Sequence, residues 1–311
     1  MPELNNPTVS VIIPTYNRKA DLARAIRTVV AQSYKDWELT VVDDASPDGT
    51  EEVVRSFGDR RVGYFRHRLH RGAGAVRNCG ICRARGKYVA FLDSDDEWFP
   101  EKLAQDVAAF ARPGGDVGLV YCGKELVDLE GRLLLRRIPS LEGDLYRQLL
   151  AHDFIGSCSR VAVRRDILEA AGGFDESLPS GQDWDMWVRA ARMGRVACVP
   201  ECLVRRHLGH AQISGSLKRI LDGHLMVVEK HRNEFDGTAL SRHWADLAAM
   251  LMNYDLRKGR EMALESLRMR PFQLRAYASL TASFLGMAGY RWAFQEYARR
   301  RHGYYAGRAA V

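Results

Sequence analysis

The chain carries a run of carboxylates directly after an apolar segment. Residues 87–92 read Lys-Tyr-Val-Ala-Phe-Leu, and Asp93, Ser94, Asp95 and Asp96 follow. A strand that ends this way brings hard oxygen ligands to the carboxyl edge of a sheet, where open α/β folds bind their ligands. Because Mg²⁺ and Mn²⁺ usually take one or two protein carboxylates and complete their shell with phosphates and water, the pattern predicts a metal site for a phosphorylated substrate. The alternative is a solvated acidic turn that caps a helix beginning near Pro100.

The preceding residues predict the sheet that would position these carboxylates. Apolar strands are expected over 9–13 and 38–42, and residues at helical spacing separate them. The second strand ends in an acidic turn at Asp43 and Asp44, followed by an amphipathic helix over 51–57. A strand over 62–65, a basic loop and a helix over 77–84 then lead to the acidic strand. This order predicts an α/β fold, a mostly parallel sheet with helices on both faces.

Several motifs occur together over roughly residues 8–215. They are Val-Ile-Ile-Pro-Thr-Tyr-Asn-Arg (11–18), Val-Val-Asp-Asp-Ala-Ser-Pro-Asp-Gly-Thr (41–50), Arg77-Asn78 with Gly86, Phe-Leu-Asp-Ser-Asp-Asp-Glu-Trp-Phe-Pro (91–100), Gly-Gly-Phe-Asp-Glu (172–176) and Gln-Asp-Trp-Asp-Met-Trp (182–187). In this combination the chain resembles the inverting family 2 glycosyltransferases, which have the GT-A fold, a Rossmann-like α/β sheet that binds a nucleotide sugar.

The resemblance implies roles for individual residues. Asp44 would accept a hydrogen bond from the nucleobase, Asp93 would approach the ribose, and Asp95 would bind the metal that bridges the diphosphate. Basic residues around 66–77, Arg77 among them, suit a loop that faces a diphosphate, and a solvated basic loop is the alternative. The full set of expected donor-binding residues is Pro14, Thr15, Tyr16, Asn17, Asp44, Arg77, Asp93 and Ser94.

Asp183 occupies the family position of the catalytic base. Attack by an acceptor hydroxyl needs a base within hydrogen-bonding reach, and apolar neighbours such as Trp184 would raise the pKa of this carboxyl by desolvation. The family usually has Glu just before this residue, whereas Gln182 stands here, so less of that rise is expected from a neighbouring charge. The alternative is an N-terminal helix carboxylate stabilised by the helix dipole. Phe174, Asp175, Gln182 and Trp184 are the residues expected on the acceptor side.

Two histidines follow this region. Family members commonly end the catalytic domain with Arg-x-His, and His207 fits that pattern as a further metal or diphosphate ligand, with His210 in reserve. A surface histidine without a role is the alternative.

Two other patterns are rejected as functional sites. Gly72 and Gly74 lack the third glycine, the first-strand position and the acidic partner of a dinucleotide fingerprint. Cys79 and Cys82 are predicted on a helix, where free cysteines serve as small hydrophobes rather than as zinc ligands. With no apparent signal peptide, the thiols suit a reducing, cytoplasmic compartment.

Charge and length suggest an appendage. The 311 residues suffice for a catalytic domain over 1–215 and a helical region over 216–311, and no apolar run is long enough to span a membrane. From Lys258 to Val311, ten Lys and Arg face three Glu, a net of +7 that equals the net charge of the chain. With its aromatic residues, this tail suits an anionic membrane surface, here the cytoplasmic face. A helical bundle or a dimer contact remains open, and nucleic acid is the least favoured partner.

Together these features predict a metal-dependent inverting glycosyltransferase of cell-envelope polysaccharide biosynthesis. It would use Mg²⁺ or Mn²⁺ to move a sugar from a nucleotide diphosphate sugar, with UDP favoured, to a hydroxyl of a glycan or lipid-linked acceptor. A sugar-nucleotide nucleotidyltransferase is the enzymatic alternative, but its Gly-rich loop with Arg and Lys is replaced by Pro14–Asn17. A non-catalytic assembly scaffold is the other, and the intact Asp93, Asp95 and Asp183 argue against it.

Overall fold

The computed structural model of the chain describes residues 6–113, 116–128, 130–207 and 216–302, with side chains through residue 296. The described residues form two compact units. One comprises the chain through 149 together with 153–177 and 182–207. The other comprises 150–152, 178–181 and the residues from 216 onward.

The described residues before 208 contain both strands and helices, which alternate up to β4. The strands are β1 (Val9–Thr15), β2 (Trp37–Asp43), β3 (Val62–Arg66), β4 (Tyr88–Phe91), β5 (Asp96–Trp98), β6 (Val117–Val127), β7 (Leu133–Arg137), β8 (Val161–Arg164) and β9 (Arg195–His207). The helices are α1 (Lys19–Val30), α2 (Thr50–Arg55), α3 (Ala73–Ile81), α4 (Lys102–Phe110), α5 (Tyr146–Ala151), α6 (Arg165–Ala170) and α7 (Gln182–Ala191).

All nine strands belong to one sheet, in the order β3-β2-β1-β4-β8-β6-β9-β5, with β7 paired to β6. The four strands β3, β2, β1 and β4 are parallel neighbours. The other half is mixed, because β8 runs antiparallel between β4 and β6 while β6 and β9 are parallel. Parallel strands end on the same side, so the residues that follow β1, β2 and β4 meet at one edge of the sheet.

Helices pack on opposite faces of the parallel half. Successive strand residues point to opposite sides of a sheet. In β1, Val11 and Ile13 join the core that α1 completes with Leu22 and Ile26. Ile12 points the other way, towards α3, where an ideal Cβ added to Gly80 would lie 2.5 Å from the Ile12 side chain. A glycine is therefore required there so that α3 can approach the sheet.

The predicted α/β architecture of the residues before 208 is confirmed. The strands that follow β4 were not predicted. The expected strands and helices up to the acidic strand are all present, with ends displaced by a few residues. Strands β6 to β9 had not been predicted, nor had β5, in which Asp96 and Trp98 pair with β9. Because β5 has only three residues, its local pattern is too short to reveal a strand.

The second unit is helical. It contains α8 (Leu217–Lys230), α9 (Gly237–Leu251), α10 (Leu256–Met269), α11 (Leu274–Ser283) and α12 (Gly286–His302). Side chains cap three of these helices: Ser216 accepts from the Arg219 N–H, Asp236 from the Ala239 N–H and Asp255 from the Lys258 N–H. Its core joins α9 to the later helices through Ala245, Ala248, Met252, Ala263, Ala276 and Tyr290. None of the described helices is long and apolar enough to cross a bilayer.

Candidate active site

Two strand ends turn sharply at the expected donor site. Asn17, just after β1, and Ala45, just after β2, have φ angles of 51° and 67°, which side chains other than glycine rarely adopt. The Asn17 N–H donates to Ser46 Oγ at 2.8 Å, and this hydrogen bond joins the two turns. Thr15 is buried, and its Oγ1 has no hydrogen-bond partner among the described residues. Pro14 lies beside it on β1, and Tyr16 is 47% exposed.

Asp44 is surrounded by donors from the loop that follows β3. Its Oδ1 accepts from the Arg71 N–H at 2.8 Å and lies 3.1 Å from His67 Nδ1. Its Oδ2 accepts from the Gly72 N–H at 2.8 Å and lies 2.9 Å from His70 Nδ1. A carboxylate offers about four lone-pair positions, so these groups fill them. A nucleobase that bonds to Asp44 must therefore displace a donor, and His70 is the more exposed of the two histidines.

The acidic turn after β4 is neutralised by two arginines. Arg77 Nη2 donates to Asp93 Oδ1 at 2.7 Å, and the Arg77 guanidinium lies 5.5 Å from the centre of the Phe174 ring. Arg18 forms an ion pair with Asp95, and its side chain comes from the residue just before α1. The turn therefore holds both expected donor-site carboxylates, each paired with a guanidinium that can also bind phosphate. Ser94 is buried between them.

Ser159 forms hydrogen bonds with two residues of the same turn. Its hydroxyl accepts from the Asp93 N–H at 3.0 Å and donates to Asp96 Oδ2 at 2.6 Å. Asp96 is buried, and its Oδ1 has no hydrogen-bond partner among the described residues. Burial, followed by the negative charge of Asp95, raises the pKa of Asp96 to about 8. The site thus favours the protonated form of this carboxyl more than water does.

The donor set suits a divalent ion that is shared with a substrate. Asp93 and Asp95 supply hard oxygens, and the unpartnered oxygen of Asp96 lies in the same turn. Within the part of the chain that is described, no group of three or more His, Cys, Asp or Glu side chains is arranged to hold a metal. Mg²⁺ and Mn²⁺ take most of their ligands from phosphates and water in such sites, so the residues fit an ion carried by a nucleotide rather than a prebuilt cage.

His207 is engaged elsewhere. At the end of β9, its Nε2 lies 2.5 Å from Glu97 Oε1, and Glu97 also pairs with Arg24 at 3.2 Å. The structure thus does not gather His207 with Asp93 and Asp95 into a three-ligand group, and its role as a ligand stays a prediction. His210 lies outside the described residues.

Asp183 stands in the first turn of α7 as a half-buried carboxylate. Burial raises its pKa to about 6, and the negative charge of Asp153 acts in the same direction. The Arg77 guanidinium and the Trp184 N–H, which donates to Asp183 Oδ1 at 3.0 Å, oppose this rise. A carboxyl with a pKa near 6 is suited to accept a proton from a hydroxyl at neutral pH. Asp153 thus supplies the neighbouring charge that Gln182 lacks.

The residues expected on the acceptor side divide into two groups. Phe174 and Trp184 lie in the core, and the Trp184 indole N–H donates to the Leu149 carbonyl at 2.7 Å, so these side chains position the backbone around them. Asp175 and Gln182 are partly exposed. Asp175 Oδ1 accepts from the Ser177 hydroxyl at 2.6 Å, and Gln182 Nε2 would lie 3.3 Å from an ideal Cβ at Gly74.

Asn78 joins the Arg77-Asn78 motif to the 172–176 motif through hydrogen bonds. Its Oδ1 accepts from the Phe174 N–H at 2.7 Å and its Nδ2 donates to the Phe174 carbonyl at 2.9 Å. Gly173 has a φ of 72°, and a Cβ there would lie 2.5 Å from Asn78 Oδ1. The side chain of Asn78 therefore holds the loop before α7 against α3, and with it Arg77 near Asp183.

Five residues with roles at this edge were missed in the sequence: Arg18, His70, Lys124, Asp153 and Ser159. Only Arg18 lies in a motif that had been singled out. The other four come from loops and strands whose place at the edge depends on long-range pairing, so spacing along the chain carries no signal for them.

The sequence model of the family described as Glycosyl transferase family 2 matches residues 10–172. The putative teichuronic acid biosynthesis glycosyltransferase TuaG of Bacillus subtilis is 31% identical over 68% of this chain and 82% of its own length. The UDP-Glc:alpha-D-GlcNAc-diphosphoundecaprenol beta-1,3-glucosyltransferase WfgD of Escherichia coli is 28% identical over 61% of this chain and 72% of its own.

Solved structures of glycosyltransferases share the fold. S. aureus TarS 1-349 in complex with UDP-GlcNAc has a TM-score of 0.59 at 18% identity, covering 94% of this chain and 81% of that one. The mannosyltransferase PcManGT of Pyrobaculum calidifontis, in complex with GDP-Man and Mn²⁺, has a TM-score of 0.54 at 19% identity, covering 96% and 88%. The fold is therefore GT-A. With the family model matched over more than half of its length, the chain is a glycosyltransferase that belongs to glycosyl transferase family 2.

Proposed function

We propose that the protein transfers a sugar, with inversion, from a nucleotide diphosphate sugar to a hydroxyl of a glycan or lipid-linked acceptor. The observation that carries the proposal is the convergence of Asp183 with Arg77 and Asp93. Arg77 donates to Asp93 and its charge acts on Asp183, so a candidate base and a candidate donor site share one guanidinium. UDP is the favoured nucleotide, since WfgD is named for a UDP-sugar and TarS was solved with one.

In the proposed reaction Asp183 accepts the proton of the acceptor hydroxyl. The hydroxyl oxygen forms a bond to the anomeric carbon while the bond from that carbon to the diphosphate oxygen breaks. Negative charge develops on the leaving diphosphate. Arg18 and Arg77 are paired with Asp95 and Asp93, the residues expected beside the diphosphate, so their guanidinium groups are placed to offset that charge. The bond forms and breaks on opposite faces of the sugar, so the configuration at the anomeric carbon inverts.

We assign the metal to Asp95, with Asp93 beside it. A bound Mn²⁺ or Mg²⁺ would act as a Lewis acid for the leaving diphosphate. PcManGT was solved with Mn²⁺, which supports a divalent ion in this fold. Arg18 pairs with Oδ2 of Asp95, so Oδ1 can ligate an ion while the guanidinium stays beside it, near enough to bind the phosphates as well.

We also propose that the catalytic domain, residues 1–215, works at the surface of an anionic membrane. The helical region would contribute to the binding of that membrane. Large apolar side chains stand exposed on the helical unit, with Phe272 at 87%, Phe284 at 80% and Trp292 at 67%. Exposed aromatic residues and the basic residues that follow Lys258 in the sequence are the residue types that bind bilayer interfaces. WfgD, which is named for a diphosphoundecaprenol acceptor, supports an acceptor held at a membrane.

A thermal-shift screen tests the proposal. Nucleotide sugars with different bases and sugars are added with Mn²⁺, with Mg²⁺ or with a chelator, because a ligand that binds the folded state raises its apparent stability. A rise in Tm with one base, and only in the presence of metal, is expected. Nucleoside diphosphate release in the presence of candidate acceptors then measures transfer. If no nucleotide sugar stabilises the protein under any metal condition, the proposed function is wrong.

A further inference from the structure

A lysine without a partner stands on β6. Lys124 is half-buried, and its ammonium has no hydrogen bond or ion pair with any described residue. An ideal Cβ at Gly156 would lie 3.8 Å from Lys124 Nζ, so the ammonium faces the turn over 153–156. The carboxylates of Asp96 and Asp153 act on this ammonium from beyond ion-pair distance, and a shielded charge without a direct partner raises the free energy of the folded protein. An anionic ligand would supply the missing partner.

Other cations surround this ammonium. Arg137 on β7 stands directly opposite Lys124 in the antiparallel pairing with β6. Arg206 on β9 is on the same face, since Leu126, two residues after Lys124, is its partner in register. Burial, and then the positive charges of Arg160 and Arg206, lower the pKa of Lys124 to about 7, and Asp96 opposes them. A concentration of positive charge with one unpaired donor is suited to phosphate.

The cationic face adjoins the proposed base. Asp153 connects the two, because its Oδ1 accepts from the N–H of Gly156, the residue that Lys124 faces, at 2.8 Å, and its charge acts on Asp183. His207 alternates with Arg206 along β9 and therefore points to the other face, where it meets Glu97. An anion at Lys124 would thus lie on the acceptor side of the site.

An apolar edge continues from this face. β7 is exposed along its whole length and pairs with β6 alone. Leu135, which shares the face of Arg137, is 38% exposed, and Ile138, just beyond the strand, is 62% exposed. Exposed apolar side chains on an edge strand beside a cationic site are unusual on a free surface. The combination matches a ligand with an anionic head and a hydrocarbon chain.

We propose that Lys124 and Arg137 bind the phosphoryl group that joins the acceptor sugar to its lipid, and that the lipid chain begins along Leu135 and Ile138. The inference deepens the proposed function and rests on it for the identity of the site. It assigns the acceptor class, a sugar linked through phosphate or diphosphate to a lipid. It also assigns Lys124 as a residue that selects this class over an uncharged glycan.

Calorimetry with geranyl diphosphate as the probe tests this assignment, in the presence of saturating UDP and Mn²⁺ so that the donor site is filled. Lys124→Met should weaken geranyl diphosphate binding by about tenfold, as the loss of one charge-assisted contact predicts. Lys124→Arg should retain most of the affinity. Arg137→Gln, at an exposed position that leaves the fold intact, should weaken it several-fold, and Lys230→Met on α8 is the matched control.

Two outcomes overturn the proposal. One is equal affinity in Lys124→Met and the parent protein. The other is binding of geranyl diphosphate without UDP that saturating UDP abolishes, which would show that the anion site belongs to the donor. The lipid part is tested with Leu135→Ser, which should weaken geranyl diphosphate but not inorganic pyrophosphate, and equal binding of both probes by the parent overturns it.

The UDP titration itself reports on the proposed function. A protein that binds geranyl diphosphate through Lys124 but binds no nucleotide would refute the transferase assignment to this site and leave the anion site standing. A protein that binds UDP normally but shows no effect of Lys124→Met refutes only the acceptor site.

Discussion

The Arg18 guanidinium is ion-paired with Asp95, the carboxylate assigned to the metal. Both side chains are largely shielded from solvent, so the pair is held in place before any nucleotide arrives. The pair uses Oδ2 of Asp95, and a divalent ion on the same carboxylate would weaken it by charge repulsion with the guanidinium. Metal and nucleotide should therefore bind together, since the phosphates offer Arg18 a new partner when the ion takes Asp95.

Asp95→Ala should abolish the dependence of UDP binding on Mn²⁺. The residue lies in the turn after β4, outside the core, so the variant should fold with a Tm close to that of the parent. Calorimetric titration of UDP with Mn²⁺ and with chelator measures the effect, and Asp222→Ala on α8 controls for the loss of a carboxylate. Unchanged UDP affinity with Mn²⁺ would remove Asp95 from the metal site.

Asp183→Asn should retain UDP binding and lose transfer by about a hundredfold or more, because the amide keeps the shape of the carboxylate but cannot accept the proton. Initial rates of UDP release with a competent acceptor measure the loss. Asp185 is a poor alternative base, since it is buried and held by Arg189 at 2.6 Å. Transfer at the parent rate in Asp183→Asn would direct attention to Asp175.

The rate of transfer should rise with pH through a pKa near 6, because the base must be ionised. Asp153→Asn removes a neighbouring negative charge that raises this pKa. The rising limb of the pH–rate profile should consequently move to lower pH in the variant. A limb that stays in place would show that Asp153 does not tune Asp183.

Asp183→Asn should also stabilise the folded protein above pH 6. A carboxyl whose pKa rises from 3.8 to about 6 on folding favours the folded state while it is protonated, and that contribution is lost as the pH climbs through 6. The shift corresponds to about 3 kcal/mol at most. Urea unfolding at pH 8 should show the gain, and at pH 4 it should nearly vanish. Equal stabilities at pH 8 would mean that Asp183 is ionised without cost.

The exposed aromatic residues of the helical unit should govern membrane binding without affecting donor binding. Phe272→Ser combined with Phe284→Ser should reduce sedimentation with anionic vesicles at low salt several-fold. Met193→Ser, at an exposed position in the other unit, is the control. Point changes are preferred to truncation near Asp255, because Met252 packs with Ala263 and Tyr290 in one core. Equal sedimentation of variant and parent would assign these side chains to a bundle or dimer contact.

Local pattern was sufficient for the first half of the catalytic fold. Short apolar strands such as Val9–Thr15 alternate with amphipathic helices such as Lys19–Val30, and each parallel unit is built from neighbours in sequence. For the same reason the carboxylates at Asp44, Asp93 and Asp95 could be assigned to one edge. Strands β6, β8 and β9 pair across long separations, and no local spacing records which of them will meet.

The sequence by itself determined the family and the types of residues at the site, because the motifs from Pro14 to Trp187 are contiguous strings. The tertiary structure decided what each of those residues touches. It paired Arg18 with Asp95, filled the lone pairs of Asp44 with the 67–72 loop and brought the charge of Asp153 to Asp183. It also left the Lys124 ammonium without an ion pair among the described residues. These contacts join residues up to 77 positions apart, and the pKa of a buried group depends on such neighbours rather than on its place in the chain.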